Sequence, residues 1–301
     1  MSSQVSEYLE ALKGAMAGSD AAIIQDALSD AEDHLRSALA GQLESNPDAI
    51  ENEALQVVVE EYGQPEEVAA AYKEIENRIR PALSPSLSQP KRNIVSAFFG
   101  VITEPRAWGA LLYMLLSLVT GIVYFTWVVT GLSLSAGLLV LIIGLPFIGL
   151  FLLSVRGIAL VEGRIVEALL GEPMPRRPLF IDKDLNLWKR FKVLVADGRT
   201  WPAMVYMALQ LPLGIIYFTL FVTLLSVSLS FIATPVLRLI FGPLSIENQH
   251  GLITSVILPS PDYWIPILVV AGVALFFGSI HLAKWMGWLH ARFAKFMLVR
   301  S

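Results

Sequence analysis

Hydrophobic and polar residues alternate differently in the first eighty residues and in the rest of the chain. Up to residue 80, apolar residues recur every three or four positions among charged ones, which predicts short amphipathic helices. From Ala107 to Val155, by contrast, 49 consecutive residues (155 − 107 + 1) carry no charge. A membrane-spanning helix needs only about 20 apolar residues. The pattern therefore predicts an all-α protein in which a small soluble helical domain, residues 1–80, precedes a membrane body, residues 105–301.

Four stretches of the body are long and apolar enough to form a four-span bundle of transmembrane helices. They cover residues 108–132, 134–155, 201–225 and 263–283. The first two are separated only by the short sequence Gly131–Ser135, which predicts a tight turn and a helical hairpin. A further apolar piece, residues 227–241, is interrupted by a proline and by Arg238. It is compatible with a re-entrant segment, an interfacial segment or a fifth span.

The body contains an internal repeat. Residues Arg106–Ser133 align without a gap on Arg199–Ser226, at an offset of 93 (199 − 106), with sixteen identities. The amphipathic segments 156–170 and 284–298 align in the same way at an offset of 128 (284 − 156). Repeats of this kind are typical of membrane proteins with internal pseudo-symmetry. The sequence therefore predicts two parallel copies of a helical hairpin, over residues 106–170 and 199–298.

The charged residues predict how the chain crosses the membrane. Residues 1–80 hold 17 acidic and 5 basic residues, and the remainder holds 9 acidic and 17 basic ones (26 − 17 and 22 − 5). Nine Lys and Arg lie between residues 155 and 201, whereas Arg238 is the only basic residue of the predicted outer loops. Because basic residues favour the cytoplasmic side, we predict a multi-pass protein of the cytoplasmic (inner) membrane with both termini in the cytoplasm.

Residues 81–104 are predicted to connect the two domains. Three prolines and three serines among residues 81–90 disfavour regular structure. The apolar residues between 94 and 102, which follow Lys91 and Arg92, predict a short helix at the membrane interface.

The sequence carries no signature of an enzyme. It has no cysteine, no Walker loop, no H-E-x-x-H and no G-x-S-x-G motif. The four histidines are not spaced as metal ligands, and we expect His281 and His290 to serve as interfacial anchors rather than as a proton relay. We therefore predict no catalytic activity, no metal, no cofactor and no direct contact with nucleic acid.

A Tyr-Phe-Thr triplet occurs at the same depth in each copy of the repeat. Its polar members are the candidate cue-sensing residues Tyr124, Thr126, Tyr217 and Thr219. They could line a shared cavity. They could equally be packing residues whose hydroxyls are satisfied across helices, with Gly121 and Gly214 allowing close approach.

The insertion between the third and fourth spans holds most of the remaining polar residues, including the candidates Arg238, Glu247 and His250. Because loops often carry function, this insertion could present a ligand-binding surface. A solvated connection fits the same residues, and the sequence does not distinguish the two.

Two further sets of residues are predicted to contact the bilayer. The membrane-interface anchors are Arg106, Trp108, Arg199 and Trp201. The basic positions of the inner-surface helices are Arg156, Arg164, Lys284 and Arg292. Each basic residue near an anionic surface contributes about 1 kcal/mol of attraction. We expect these helices to bind anionic lipids, while docking of the acidic first domain is the alternative.

Several motifs of the body resemble a sensor domain of bacterial membrane proteins that often precedes histidine kinase modules. They are the Y-M-x-L-x-L-x-x-G-I-x-Y-F pattern from Tyr113, R-G-I-A-L-V-E-G-R from Arg156, and Leu169-Leu-Gly-Glu-Pro-Met-Pro175. Residues 5–78 resemble the small helical signalling domain called HAAS. The motifs are Tyr8-Leu9-x-x-Leu12, Asp33-His34-Leu35 and Tyr62-Gly-Gln-Pro-Glu-Glu-Val-Ala69. The resemblance implies signalling from the membrane and carries no ligand-binding residue with it.

These observations predict an integral membrane sensory or regulatory protein without catalytic activity. It would couple a membrane or extracytoplasmic cue to a cytoplasmic partner, such as a kinase or a transcription regulator, and it could form a homo-oligomer. The main alternative is a small membrane transporter or an accessory transport subunit. An enzyme acting on lipid is a third possibility, and the absence of a catalytic set speaks against it.

The predicted topology can be tested with reporter fusions. Fusions after residue 80 and within residues 177–197 should both report the cytoplasm, because both follow from the same distribution of basic residues. A fusion within residues 248–252 serves as the control and should report the outside. Reporters that place the first two fusions on opposite sides of the membrane would overturn the topology.

Overall fold

The computed structural model is helical apart from one small β-hairpin. It describes residues 3–46, 51–78, 83, 94–140, 144–176, 198, 200–241, 245–247, 253–255 and 265–299. The helices are α1 Ser3–Ala15, α2 Ala21–Ser45, α3 Glu51–Tyr62, α4 Pro65–Arg78, α5 Ile94–Gly100, α6 Pro105–Leu138, α7 Gly144–Leu170, α8 Thr200–Phe241 and α9 Ile265–Leu298. A 3-10 turn covers Val101–Thr103, and strands β1 (Ser245–Glu247) and β2 (Ile253–Ser255) pair antiparallel. The predicted all-α fold is confirmed.

Four helices have the length and the apolar composition needed to cross a membrane. They are α6, α7, the part of α8 from Thr200 to Pro235, and α9. Each is at least 27 residues long, whereas the hydrocarbon core requires about 20. The predicted number of spans is therefore confirmed among the described residues.

The chain divides into two compact units that each draw on several elements. The first comprises Met1–Pro85, Val123–Leu209 and His290–Ser301, and the second comprises Ser86–Ile122 and Gln210–Leu289. Helices α6, α8 and α9 each contribute to both units, since the division falls within them. The sequence did not predict this division, because it follows tertiary contacts and not the boundaries of elements.

The first four helices build a small domain, here called the head, around one apolar core. Val5, Tyr8 and Leu12 of α1 are buried, as their helical spacing predicts, and so is Met16 just after the helix. They pack with buried residues of α2, α3 and α4. Gly18 and Gly63 follow helix ends with φ angles of 91° and 109°, which side chains other than glycine rarely adopt.

Tyr8 connects the first and third helices of the head. Its hydroxyl donates to the backbone oxygen of Gly63 over 2.8 Å. Burial, together with the neighbouring Tyr62 and Glu66, raises the pKa of Tyr8 to about 12. The phenol therefore stays neutral, and this hydrogen bond persists, throughout the physiological pH range.

The predicted turn between the first two spans is wrong. Helix α6 passes through the predicted turn Gly131–Ser135 and ends at Leu138. A Cβ atom on Gly131 would lie 2.0 Å from the ring of Phe151, so this glycine provides room for α7.

The apolar piece at residues 227–241 is a direct continuation of α8. The helix runs from Thr200 to Phe241 and contains Pro212 and Pro235. Ser228 is buried, and its hydroxyl donates to the backbone oxygen of Gly272 on α9 over 2.9 Å. The sequence could not show this, because a proline inside an apolar run is as typical of a boundary as of a kinked membrane helix.

Helix α5 packs against α9 within the second unit. The Phe98 ring stacks on His281 at 5.5 Å between centroids, and His281 Nε2 lies 3.1 Å from the Phe98 backbone oxygen. Lys284 forms an ion pair with Glu104, which follows the 3-10 turn. The predicted short helix therefore exists, and its contacts fix the chain just before α6.

Helices α6 and α8 approach each other closely at two glycines of the second unit. A Cβ atom on Gly121 would lie 2.6 Å from the backbone oxygen of Gln210, and one on Gly214 would lie 2.4 Å from that of Ser117. In the repeat alignment Gly121 corresponds to Gly214, and Ser117 to Gln210 (offset 93). The two contacts are therefore equivalent: each glycine of one copy lies against the backbone of the same repeat position in the other copy.

We predict that Gly121→Ala and Gly214→Ala each destabilise the protein by about 1–3 kcal/mol, because the new methyl groups would overlap backbone atoms that cannot move aside. Thermal unfolding in detergent would measure the loss. Gly137→Ala on α6 is the matched control, since no atom lies within 4 Å of its Cβ position. Equal stability of all three variants would contradict the close approach of α6 and α8.

Candidate functional site

Four polar side chains form a buried hydrogen-bonded chain in the first unit, here called the Glu162 cluster. The Tyr124 hydroxyl donates to Glu162 Oε2 over 2.9 Å, and the Tyr206 hydroxyl donates to Glu162 Oε1 over 2.8 Å. The Tyr206 oxygen also lies 3.0 Å from His290 Nε2. Glu162 is 0% exposed and His290 is 1% exposed. The cluster joins one side chain from each of α6, α7, α8 and α9.

Helical periodicity brings Glu162 into this position. Buried apolar residues of α7 include Val155, Val166 and Leu170. Glu162 lies seven residues after Val155 and four residues before Val166. Residues with this spacing share one face of a helix. The carboxylate is therefore carried inward with the apolar side chains, next to Gly163, whose Cβ position lies 3.4 Å from Met174.

An isolated carboxylate is costly to bury, whereas one that accepts hydrogen bonds is tolerated. Glu162 receives a phenolic hydrogen bond on each of its two oxygens. Such charge-assisted hydrogen bonds are about twice as strong as those between neutral groups. The two tyrosines therefore satisfy both oxygens of a carboxyl group that is buried in the first unit.

The repeat relates the acid and the base of the Glu162 cluster. Glu162 and His290 occupy equivalent positions of the two amphipathic segments, at the offset of 128 (290 − 162). The tyrosine between them, Tyr206, belongs to the second copy, where it corresponds to Tyr113 of the first (206 − 113 = 93). At the same repeat position, the first copy thus has an acid, Glu162, and the second copy has a base, His290.

The structure distributes the predicted Tyr-Phe-Thr candidates unevenly. Tyr124 is buried in the Glu162 cluster, whereas Tyr217 is half-buried. Thr126 and Thr219 are exposed. The Tyr124 hydroxyl donates to a titratable side chain, that of Glu162.

Sequence reasoning missed Glu162 and Tyr206 and assigned His290 to anchoring. One signal was available, because Glu162 is an acid on an otherwise apolar stripe of a membrane-associated helix, and such acids are rare. Tyr206 gave no comparable signal, since tyrosine is common near membrane interfaces.

The candidates of the outer insertion have little described structure. Arg238 lies in α8 and Glu247 in β1, while His250 lies outside the described residues. Among the predicted anchors, Trp108 is exposed and its indole nitrogen donates to the backbone oxygen of Ile102 over 2.7 Å. Arg106 is half-buried and Trp201 is exposed, whereas Arg199 lies outside the described residues.

Protein groups contact the predicted lipid-binding residues Arg156, Arg164 and Lys284. Arg156 Nε donates to Thr200 Oγ1 over 3.3 Å, Arg164 pairs with Glu167 and donates to the Pro175 backbone oxygen, and Lys284 pairs with Glu104. Arg292 is exposed. Lipid binding by the first three would have to compete with these contacts.

The head is attached to the ends of α7 and α9 by charged groups. Lys295 Nζ lies 2.5 Å from Asp20 Oδ2 and 2.9 Å from Glu172 Oε1. The backbone nitrogen of Arg176 donates to both carboxylate oxygens of Asp26, over 2.7 and 2.9 Å. We call these contacts of Asp20 and Asp26 the docking contacts.

Asp20 has two functions in this arrangement. Its Oδ1 accepts from the backbone nitrogen of Ala22 over 2.9 Å and so caps α2, while its Oδ2 pairs with Lys295. A capping side chain of this kind stabilises a helix by about 1 kcal/mol. The start of α2 is thereby fixed by the same carboxylate that holds the head to α9.

The chemistry available to the Glu162 cluster is proton binding and transfer. Within the described ranges of the chain, no group of three or more His, Cys, Asp and Glu could hold a metal ion. A carboxylate, a phenol and an imidazole that are hydrogen-bonded in sequence can exchange protons directly, without a water molecule or another side chain as carrier.

We predict that Glu162→Ala destabilises the protein strongly, because it leaves two buried tyrosine hydroxyls without their acceptor, at a cost of about 1–3 kcal/mol for each. Glu162→Gln keeps an acceptor oxygen and should cost much less. Thermal unfolding in detergent would compare them with Val161→Ala at the neighbouring exposed position. Similar losses for the Ala and Gln variants would show that these hydrogen bonds do not contribute.

The comparison with known proteins covers most of the membrane body. Residues 113–298, which are 186 of the 301 residues (298 − 113 + 1), match the protein family described as "Putative sensor". The matched range includes all four members of the Glu162 cluster. No curated protein and no solved structure matches the chain. The sequence match and the four helices able to cross a membrane together show that the chain is a multi-pass membrane protein of this sensor family.

Proposed function

We propose that the protein is a sensor of the cytoplasmic membrane that controls a cytoplasmic partner through its head and has no catalytic activity of its own. The observation that carries the proposal is the attachment of the head to the same two helices, α7 and α9, that hold the buried acid and base. A cue that shifts these helices acts directly on the docking contacts.

The distances along the helices support such coupling. Lys295 follows His290 by five residues on α9, which is about 7.5 Å of helix. Glu172 and Arg176 follow the end of α7, ten and fourteen residues after Glu162. A displacement at the Glu162 cluster therefore has about one and a half helical turns to travel along α9 to Lys295. Along α7 it has about two turns to Leu170, followed by two to six further residues to Glu172 and Arg176.

The charge distribution supports the direction of signalling. Both partners of the docking contacts belong to regions that the basic residues predict to be cytoplasmic. The acidic head can be held by the basic helix ends or released to bind a basic surface of a partner, such as a kinase or a transcription regulator. The resemblance of residues 5–78 to HAAS signalling domains points to the same function for the head.

A small proton-coupled transporter is the second candidate. The observation in its favour is the burial of Glu162 and His290, since ionisable groups inside membrane proteins are typical of ion pathways. Solute or proton flux in liposomes that contain the purified protein, lost in Glu162→Gln, would favour transport. If liposomes with the wild type and liposomes with Glu162→Gln are both impermeable to protons and solutes, the result would favour the sensor.

The sensor function predicts that the output depends on the head and on its docking. A host strain without residues 3–78 of the protein should have the same transcript profile as a strain without the whole protein, although the membrane body is still inserted. Asp20→Asn should instead produce constant output, because it retains the capping oxygen and removes the charge that pairs with Lys295.

Two controls make this experiment decisive. The amount of protein in the membrane fraction, measured by immunoblot, excludes loss of the variant as the cause. Glu53→Gln changes an exposed acidic residue of α3 away from the docking contacts and should leave the profile unchanged. A headless strain that responds like the wild type would refute a signalling role of the head.

A further inference from the structure

Tyr206 connects the acid and the base of the Glu162 cluster through one oxygen atom. That oxygen lies 2.8 Å from Glu162 Oε1 and 3.0 Å from His290 Nε2. The carboxylate and the imidazole are therefore within about 6 Å of each other, a range in which two charges strongly affect each other's ionisation.

We propose that Glu162, Tyr206 and His290 form a proton-binding site and that the proton is the ligand that controls the docking of the head. The proposal rests on the proposed sensor function for its output and deepens it by naming the cue. The site itself stands on the geometry of the three side chains.

The site has two arrangements that hold the same number of protons. In one, the protonated Glu162 donates to the Tyr206 oxygen, and Tyr206 donates to a neutral His290 Nε2. In the other, the Glu162 proton has moved to the tyrosine oxygen and the tyrosine proton to Nε2, which leaves a carboxylate and an imidazolium. An O–H bond forms on Tyr206 and an N–H bond forms on His290, while one O–H bond breaks on Glu162 and one on Tyr206. No proton is gained or lost.

Addition or loss of one proton changes the net charge of the site. A second proton leaves an imidazolium beside a neutral acid, and removal of the only proton leaves a carboxylate beside a neutral imidazole. The deprotonated state keeps the two phenolic hydrogen bonds on the carboxylate, whereas the doubly protonated state buries an imidazolium beside a neutral acid, which is unfavourable in a dry interior. The helices that carry the groups then separate or admit water, so the packing of α7 against α8 and α9 depends on proton concentration.

The other charged groups near the site have partners of their own. On α7, Arg156 donates to Thr200, and Arg164 and Glu167 pair with each other. On α9, Lys295 pairs with Asp20 and Glu172, and Arg292 is exposed. The titratable group that α6 places against Glu162 is Tyr124, and the one from α8 is Tyr206.

The packing of the imidazole supports a mobile proton at this position. His290 is 1% exposed, and its ring lies 6.0 Å from each of the rings of Tyr206 and Phe293. Among its described contacts, the imidazole ring faces two aromatic rings and reaches the Glu162 carboxyl through the Tyr206 oxygen. The charge state of His290 is therefore linked to that of Glu162.

Infrared difference spectroscopy in lipid nanodiscs can detect the bound proton directly. The carbonyl band of a protonated carboxylic acid is absent from a carboxylate, so the wild type minus Glu162→Gln spectrum isolates Glu162 among the 26 acidic residues. We expect the intensity of this band to depend on pH. In His290→Gln, its midpoint should shift by about tenfold or more in proton concentration.

Two conservative variants separate proton coupling from packing. Tyr206→Phe keeps the ring and removes the connecting oxygen, so the Glu162 band should no longer respond to His290→Gln. Tyr124→Phe removes the other hydrogen bond of Glu162 and should change the band position while the response to His290→Gln remains. A Glu162 band that does not titrate, or one indifferent to His290→Gln, would overturn the proton site.

Spin labels can measure the effect on the head, and the absence of native cysteine means that labels attach only where they are placed. Labels at Gln56→Cys and Val161→Cys, both exposed, should report a distance that changes with pH in the wild type and not in Glu162→Gln. A titrating band with a constant distance would refute control of the head by the proton. The host-strain experiment tests the sensor function separately, since it needs no titration of Glu162.

Discussion

The burial of one carboxyl group is the constraint on the four helix segments that meet in the first unit. Glu162 is buried on the apolar stripe of α7, so its oxygens need hydrogen-bond donors from other helices. Tyr124 from α6 and Tyr206 from α8 each supply a hydroxyl, and His290 from α9 follows behind Tyr206. The positions of these four helix segments therefore depend on hydrogen bonds to the two carboxyl oxygens of Glu162. Hydrophobic packing alone would leave their rotation and register less well defined, because lipid and apolar side chains solvate one another equally well.

The repeat explains why an acid and a base meet at one place. The two copies supply the same tyrosine and glycine positions, which favours equivalent helix contacts such as those of Gly121 and Gly214. They differ at the position that holds Glu162 in one copy and His290 in the other. Two carboxylates would repel each other here, and two imidazoles would have no anion to balance a bound proton. The difference between the copies thus creates a chemistry that neither copy has alone.

The sequence predicted the number of spans, the helices of the head and one residue of the candidate site. Helical periodicity was sufficient for Val5, Leu12 and Leu35, because the core of the head depends on local spacing. It failed at Gly131, where the glycine serves a close contact with Phe151, and at Pro235, where a proline lies inside a helix. The sequence could not predict the contact among Glu162, Tyr206 and His290, which are far apart in the chain. Only tertiary packing shows that their side chains form one hydrogen-bonded chain. The docking contacts of Asp20 and Asp26 could be anticipated as charge attraction between regions but not as particular pairs.

The lengths of the helices have a mechanical consequence. At 1.5 Å per residue, the 34 residues of α6 and of α9 each extend over about 51 Å, whereas the hydrocarbon layer is about 30 Å thick. Some 20 Å of each rod must therefore project into the headgroup region or the water, unless the rod tilts steeply. A change of about 10° in the tilt of such a helix moves an end that lies about 25 Å from its centre sideways by about 4 Å. A change in bilayer thickness that alters the tilt of these helices would therefore move whatever is attached to their ends by a few ångströms.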